Sequence, residues 1–296
     1  MPKFSVIVPS VNGLPTIGEC LTALERQKCN FDYEIIVADR TQNGTAEYIR
    51  ENFPDVKLIK LSAPRGIPEM RFTAMKQARG EFLAFTEDHC LAPENWLAQI
   101  AEAHESGYEV IGGAVENASR KRLIDRAVFL CEYSAFMPPI AGGETEIVTG
   151  NNTSFKRSAL EKLDESLLKN YWEYFLLAEL KRDGVKFFSV SSLVVNHKKN
   201  FGFLYFLAQR FHYSRSFAWM RKRKSAFPEQ ILHLLYTPFL PFHQTWKIFQ
   251  NVRRKNRNQR DFFLSLPLLL VFMTSYALGE LIGNLFGAGK SLSKVE

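Results

Sequence analysis

Glu81-Phe82-Leu83-Ala84-Phe85-Thr86-Glu87-Asp88-His89 is the stretch on which the fold turns. Through Phe85 it is an apolar run of strand length, and it then gives way to two acids and an imidazole. A strand buried on both faces belongs to a sheet covered by helices, and in such sheets ligands bind just beyond the carboxyl ends of the strands. Glu87, Asp88 and His89 offer carboxylate oxygens and an imidazole nitrogen, a donor set suited to a divalent cation. The other reading of the triplet is a solvated turn.

The same alternation continues on either side. Phe4 to Val8 is a short apolar run closed by Pro9, and Ile17 to Gln27 has helical spacing through Ile17, Leu21 and Leu24. Glu34 to Ala38 reads as a second strand, Thr45 to Asn52 as a helix, and Lys57 to Leu61 as a third strand. Glu69 to Ala78 and Asn95 to Glu105 read as helices on either side of the Glu81–Phe85 strand, and Glu109 to Gly113 as a fifth strand. Apolar strands alternating with helices of about ten residues predict right-handed crossovers and an α/β, Rossmann-like, mostly parallel sheet with helices on both faces. Pro9-Ser10-Val11-Asn12 and Asp39 then stand at the ligand edge as well, although Asp39 alone suits a turn or cap equally. No repeat or flexible linker interrupts the chain before residue 225, so the reading places one domain at 1–225 and a C-terminal hydrophobic helical region at 226–296.

Composition narrows the class. The 296 residues are 46% hydrophobic and 23% charged, which excludes disordered, collagen-like and low-complexity chains. Cys20, Cys29, Cys90 and Cys131 lie far apart, so neither a disulfide framework nor a zinc knuckle is expected. Met1-Pro2-Lys3-Phe4 leads into a strand-like run and not into a secretory signal, so the bulk of the protein is expected in the cytosol.

The net charge of +7 is local. Arg221-Lys222-Arg223-Lys224 and the group Arg253, Arg254, Lys255, Arg257, Arg260 contain no acid; without these nine the chain has 29 bases against 31 acids. A nucleic-acid binder spreads its bases over the face that meets phosphate, so nucleic acid is not an expected partner. Here the bases flank apolar segments, Ile231 to Phe242 and the uncharged run Phe262 to Gly279, an arrangement that suits an anionic cytoplasmic leaflet. Eighteen uncharged residues are at the lower limit of a crossing. The expectation is a peripheral or monotopic protein whose apolar segments lie in the interface, with a single pass as second choice and buried helices of a soluble domain as the third.

Taken in order, several motifs over residues 4–200 resemble the family 2 inverting glycosyltransferases, which have the GT-A fold and use nucleotide-activated sugars. Ser5 to Asn12 resembles the family's opening strand and turn, and Glu34 to Asp39 followed by Asn43-Gly44-Thr45 its nucleotide-binding strand. Arg65-Gly66, Arg71, Ala78-Arg79-Gly80-Glu81 and Phe85 to His89 resemble the approach to its D-x-D motif, with Trp96-Leu97 following. The resemblance implies that Pro9, Ser10, Asn12, Asp39, Arg71, Glu87 and Asp88 bind the nucleotide-sugar, Asp39 at the base or ribose. It implies a divalent cation, Mn²⁺ or Mg²⁺, on the diphosphate, with Asp88, His89 and His197 as metal ligands. Glu87 and His89 stand where two aspartates are usual, which leaves the direct ligand open among the triplet and moves the preference towards Mn²⁺.

An inverting transferase needs one carboxylate to take the acceptor's proton. Tyr171-Trp172-Glu173, then Leu176, Leu177, Leu180 and Gly184, resembles the family's base motif, eleven residues separating Glu173 from Gly184. The resemblance makes Glu173 the base, where the alternative is an ordinary first-turn acid at a helix N-terminus. Glu179, two turns on, fits less well. Trp172 and Asn152 fall on the acceptor side, Asn152 within Thr149 to Ser154, where a turn role is equally open. Gln209, Arg210, His212 and Arg215 could reach the diphosphate. The Q-x-x-R-W motif of processive synthases is absent from Gln209 onward, which fits one sugar per encounter. The expectation is therefore transfer from a nucleotide-diphosphate donor, UDP-linked in the first instance, to a lipid or lipid-linked glycan hydroxyl, in a chain that could form oligomers. The rival from another class is an inactive membrane scaffold that binds nucleotide-sugar or glycan.

Overall fold

The computed structural model describes residues 1–62 and 64–295. In chain order the first elements are β1 (Phe4–Ser10), α1 (Ile17–Glu25), β2 (Tyr33–Asp39), α2 (Thr45–Asn52), β3 (Lys57–Lys60) and α3 (Ile67–Met75). They are followed by β4 (Phe82–Phe85), β5 (Cys90–Leu91), α4 (Trp96–Glu105), β6 (Val110–Asn117), α5 (Leu123–Tyr133), β7 (Gly143–Thr145) and β8 (Thr153–Lys156). Then come α6 (Arg157–Glu161), α7 (Glu165–Asn170), α8 (Glu173–Arg182) and β9 (Phe187–His197). The C-terminal part is helical: α9 (Phe203–Lys224), α10 (Phe227–Tyr236), a 3₁₀ turn at Thr237–Phe239, α11 (Leu240–Lys255) and α12 (Gln259–Phe286).

The strands form one mixed sheet in the order β3-β2-β1-β4-β8-β6-β9-β5, with β7 added on β9. The half containing β3, β2, β1 and β4 is parallel, and it matches the expected alternation. The other half departs from it, because β8 runs antiparallel between β4 and β6, and β5 and β7 pair antiparallel with β9. All residues of β1 are buried, as a central strand requires. Strand β1 also runs through Pro9, where the sequence reading ended it. Its ladder with β4 stops at Ile7–Phe85, while that with β2 runs on to Ser10–Asp39. The Ser10 carbonyl accepts from Arg40 on the β2 side, so Pro9 faces the other side, beyond the end of β4, and its missing N–H leaves no ladder bond unmade.

The chain divides into two compact units. The first comprises residues 1–118 and 136–198, the second 119–135 and 199–296. The sheet lies in the first, with every sequence-expected site residue up to His197; Gln209, Arg210, His212 and Arg215 lie in the second. Helices α5 and α9, which the reading grouped with residues 1–225, belong to the second unit with α10 to α12. The local reason is polar: Asp125 of α5 accepts from the Phe201 amide at 3.2 Å and pairs with Arg122, and Arg126 pairs with Asp261 of α12 at 2.9 Å. Within this unit α12 seats closely on α9. A Cβ at Gly279 would lie 2.3 Å from the Phe211 carbonyl oxygen and one at Gly283 would lie 2.4 Å from that of Arg215, so only glycine permits this approach.

Candidate active site

The site is assembled from strand ends and one helix start. Strand β4 ends at Phe85, and Thr86 to His89 turn out of the sheet before Cys90 pairs with His197 at the end of β9. That pairing brings two histidines together from positions 108 residues apart, with Nε2 to Nε2 at 2.9 Å and rings at right angles. Glu87 Oε2 lies 3.4 Å from His89 Nε2. These three side chains, one carboxylate and two imidazoles, present ligand atoms all within 4.8 Å of one another. Ligands held at about 2.1 Å from one cation lie about 3 Å apart, which the 2.9 Å His89–His197 and 3.4 Å Glu87–His89 separations approach.

Asp88 has a different job from the one expected. Its Oδ2 accepts the amides of Val11, Asn12 and Gly13 at 3.0, 3.1 and 2.9 Å, and its Oδ1 faces His89 Nδ1 at 2.7 Å. A carboxylate only accepts, so His89 donates from Nδ1 to Asp88 and its Nε2 edge faces Glu87 and His197. Asp88 is thus engaged apart from the cluster in which Glu87 stands with the two imidazoles: the aspartate pins the turn after β1 and orients the His89 ring. Gly13 makes that turn possible, with φ +60° and with its missing Cβ position 2.1 Å from Thr45 Oγ1.

Cysteines border the group without joining it. Cys20 donates to the Glu87 carbonyl at 3.3 Å, and Cys90 accepts from the Asn151 amide at 3.6 Å. Burial first, with the Asp88 and Glu87 carboxylates adding to it, holds both thiols well above their usual range.

Across from this group stands Glu173, the first residue of α8. Arg71 on α3 links the two sides: its Nη1 lies 3.3 Å from Glu173 Oε2, its Nη2 lies 3.7 Å from Glu87 Oε1, and Nη2 donates to the Gly150 carbonyl at 2.9 Å. Gly150 is tight against this pair, since a Cβ there would lie 2.4 Å from Glu173 Oε1. Beside it lies a small cavity of about 30 Å³, walled by apolar side chains such as Phe85, Phe155 and Leu168, with Arg71 and Glu173 as its charged lining. A carboxylate beside a largely apolar pocket and a guanidinium can accept a proton from a hydroxyl brought there.

The remaining expectations divide. Pro9 and Ser10 are buried at the end of β1, and the Asn12 carbonyl accepts from Asn43 at 2.9 Å. Asp39 is wholly buried; it pairs with Lys60 at 2.8 Å and accepts the Thr41 amide at 3.0 Å, so its turn-forming role is realised. Lys60, unremarked in the sequence, was findable only through the β2–β3 pairing that puts it opposite Asp39. Asn152 is corrected: it has no exposed surface, accepts from Trp96 Nε1 at 2.8 Å and donates to the carbonyls of Ala114 and Leu193 at 2.8 and 3.0 Å. It ties α4, β6 and β9 together and offers nothing to an acceptor. Trp172 is buried immediately before α8, so it packs and does not present a ring face. Gln209, Arg210, His212 and Arg215 bond to Lys294, Glu132, Ser291 and Gly287 inside the second unit.

Comparison with known proteins gives a family match and a likeness of fold. Residues 5–164 match the family model described as Glycosyl transferase family 2. The uncharacterized glycosyltransferase YfnE of Bacillus subtilis is 34% identical over 107 residues, 35% of this chain and 27% of that protein. Glycosyltransferase AglE of Haloferax volcanii is 30% identical over 122 residues, 39% of this chain and 40% of that protein. The chain therefore matches less than half the length of either relative. Among solved structures, the mannosyltransferase PcManGT of Pyrobaculum calidifontis, in complex with GDP-Man and Mn²⁺, superposes with a TM-score of 0.60 at 20% identity, covering 96% of this chain and 87% of that one. S. aureus TarS 1-349 in complex with UDP-GlcNAc gives 0.56 at 16% identity, covering 95% and 89%. At these identities the likeness is one of fold.

Proposed function

The chain belongs to glycosyl transferase family 2, and on that premise we propose that it transfers a sugar, with inversion, from a nucleoside-diphosphate donor of UDP type. The acceptor in this reading is a hydroxyl on a lipid or lipid-linked glycan at the cytoplasmic face of a membrane. The observation that carries it is the placement of Glu87, His89 and His197 on one side of Arg71 and of Glu173 on the other.

Glu87, His89 and His197 would hold the cation, and their mixed oxygen and nitrogen donors favour Mn²⁺ over Mg²⁺. When bound there, such an ion supplies charge stabilisation for a departing diphosphate. The protein's own residues do the rest. Glu173 takes the proton of the acceptor hydroxyl as its oxygen bonds to the anomeric carbon, while the bond from that carbon to the diphosphate oxygen breaks on the opposite face. Arg71 positions the Glu173 carboxylate, and Asp88 holds the turn after β1 and the His89 ring. Asp39 would meet the base or ribose by exchanging Lys60 for the nucleotide. PcManGT with GDP-Man and Mn²⁺ and TarS with UDP-GlcNAc support a nucleotide-sugar donor by likeness of fold. The lipid side of the proposal rests on the apolar, base-flanked second unit.

Calorimetry with a panel of nucleotide-sugars, in Mn²⁺, in Mg²⁺ and in chelator, tests the donor site. The expected result is metal-dependent binding of one donor, lost in His89→Ala and retained in Glu173→Gln. Absence of binding under every condition would overturn the reading.

A further inference from the structure

Among the described residues, the large apolar side chains left exposed in the first unit are Met1, Ile147 and Tyr174; the others belong to the second unit. They are ordered there. No residue of α10 is buried, although it reads Phe-Pro-Glu-Gln-Ile-Leu-His-Leu-Leu-Tyr, and Phe227 is 72% and Leu235 66% exposed. From Ile231 the exposed stripe continues through Leu235, Phe239, Phe242 and Trp246 at steps of three or four residues, so it stays on one side through the 3₁₀ turn and into α11. The opposite side of α11, Pro241, Thr245, Ile248 and Val252, is buried. Rings then carry the surface across to α12, with Trp246 and Phe249 at 5.3 Å and Phe249 and Phe263 at 6.2 Å.

The charges beside this surface are mostly basic, Glu229 of α10 and Asp261 of α12 being the nearby acids. Helix α9 ends in Arg221-Lys222-Arg223-Lys224 just before α10, and α11 ends in Arg253-Arg254-Lys255 just before α12, with no acid in either run. Burial, then Arg254 and Arg257, lower the Lys255 ammonium to about 8, as in a cluster suited to anions.

Helix α12 has the length of a membrane crossing and contains an 18-residue stretch of mean hydropathy 1.9. Its packing argues against one. Gly279 and Gly283 seat it on the backbone of α9, Ser275 Oγ donates to the Leu207 carbonyl at 2.8 Å, and Glu280 pairs with Arg221. A crossing α12 would carry α9 with it, and Arg210, Arg215, Arg221 and Lys222 of α9 are costly at bilayer depth.

We propose that the second unit docks monotopically on an anionic bilayer: α10, the Thr237–Phe239 turn and the start of α11 lie in the interfacial plane with their apolar side towards the acyl chains, the exposed bases Arg223, Lys224, Arg253 and Arg254 meet lipid phosphates, and α12 remains packed on α9. This deepens the membrane part of the function proposed above and rests on it. The donor chemistry does not depend on it. The apolar stripe supplies burial and the bases supply selectivity for acidic lipid.

Flotation of the full chain with phosphatidylcholine vesicles, with and without phosphatidylglycerol, tests the surface. The expected result is binding that needs phosphatidylglycerol, weakens in high salt and falls about tenfold or more in Phe239→Glu/Trp246→Glu, with nucleotide-sugar binding unchanged. Bromolipid quenching, read as the difference between the parent and Trp246→Phe, should show Trp246 at acyl depth. An impermeant maleimide added outside preformed vesicles should label Asn256→Cys and Lys290→Cys alike, over the background of the parent. Protection of one of these cysteines would mean a crossing and overturn the proposal. So would equal binding to neutral vesicles, or a dimer in dilute solution that shields Trp246 and abolishes vesicle binding. Donor binding that persists in any of these cases leaves the catalytic reading standing.

Discussion

Arg71 Nη1 lies 3.3 Å from Glu173 Oε2 across 102 residues of chain, and the same guanidinium reaches Glu87. One cation therefore sets the distance between the proposed proton acceptor and the metal-side carboxylate. If Glu173 is the base, Glu173→Gln keeps the shape and the hydrogen-bonding capacity but cannot take a proton. Transfer should fall by about 10²–10⁴-fold in kcat with donor affinity unchanged. Glu179→Gln, on the same helix, should leave kcat within about twofold, because Glu179 faces Arg182 in its own last turn. Steady-state kinetics alongside calorimetry check both.

Parts of this site were legible before any coordinates. The strands are continuous apolar runs, so Asp39, Glu87 and His89 could be placed at the ligand edge by their position after them. What sequence could not supply is contact over long separations. Asp88 looks like a ligand beside Glu87 and His89, and only the turn of Val11 to Gly13, 75 to 77 residues away, shows that its oxygens are already occupied. Strand β8 escaped because Thr-Ser-Phe-Lys has no apolar run, and its burial comes from lying between β4 and β6. Asn152 begins beside it and is buried for the same reason. Helices α5 and α9 read locally as part of a first domain, and their grouping with α12 rests on Asp125, Arg126 and the glycine face of α12.

Asp88 should behave as a positioning residue. Asp88→Asn keeps the size of the side chain but gives up the ionised acceptor for three amides and lets the His89 ring choose the other tautomer. Metal affinity should drop about 10–100-fold, and stability by about 1.5–3 kcal/mol. His89→Ala should lose more of the metal affinity and less of the stability, since it leaves the Val11–Gly13 amides satisfied. Mn²⁺ titration and thermal melts of the two variants separate the roles.

A pH effect on stability should come from outside the site. His104 is buried against Phe82, with ring centroids 4.2 Å apart; its Nδ1 donates to the Tyr108 carbonyl and its Nε2 accepts from Ser154 Oγ, each at 2.9 Å. Burial lowers this imidazole from the ordinary 6.5 to about 4. Above pH 6.5 it is neutral in both the folded and the unfolded chain and costs nothing. As pH falls from 6.5 towards 4 the unfolded chain takes up the proton first, so stability declines, by about 3 kcal/mol once pH 4 is reached. Denaturant melts over this range should show the decline, and His104→Gln should flatten it while lowering stability at pH 7.

Gly150→Ala tests how closely the base is held. The added methyl would enter 2.4 Å from Glu173 Oε1 and 3.2 Å from Arg71 Nη1, and both of those atoms end flexible side chains. The backbone at Gly150 has no positive φ to forbid alanine, so the fold should lose no more than about 1 kcal/mol. The carboxylate, however, must move by an ångström or so, and a misplacement of that size at a reacting group costs up to about 10²-fold in rate. The expected outcome is a kcat reduced by about 10–100-fold, an unchanged thermal midpoint to within a few degrees, and undiminished donor binding, because the metal-side residues lie across Arg71 from the new methyl. A kcat that stays at the parent level would mean that Glu173 reaches the acceptor from another position, and would remove the Arg71–Glu173 contact from the catalytic geometry.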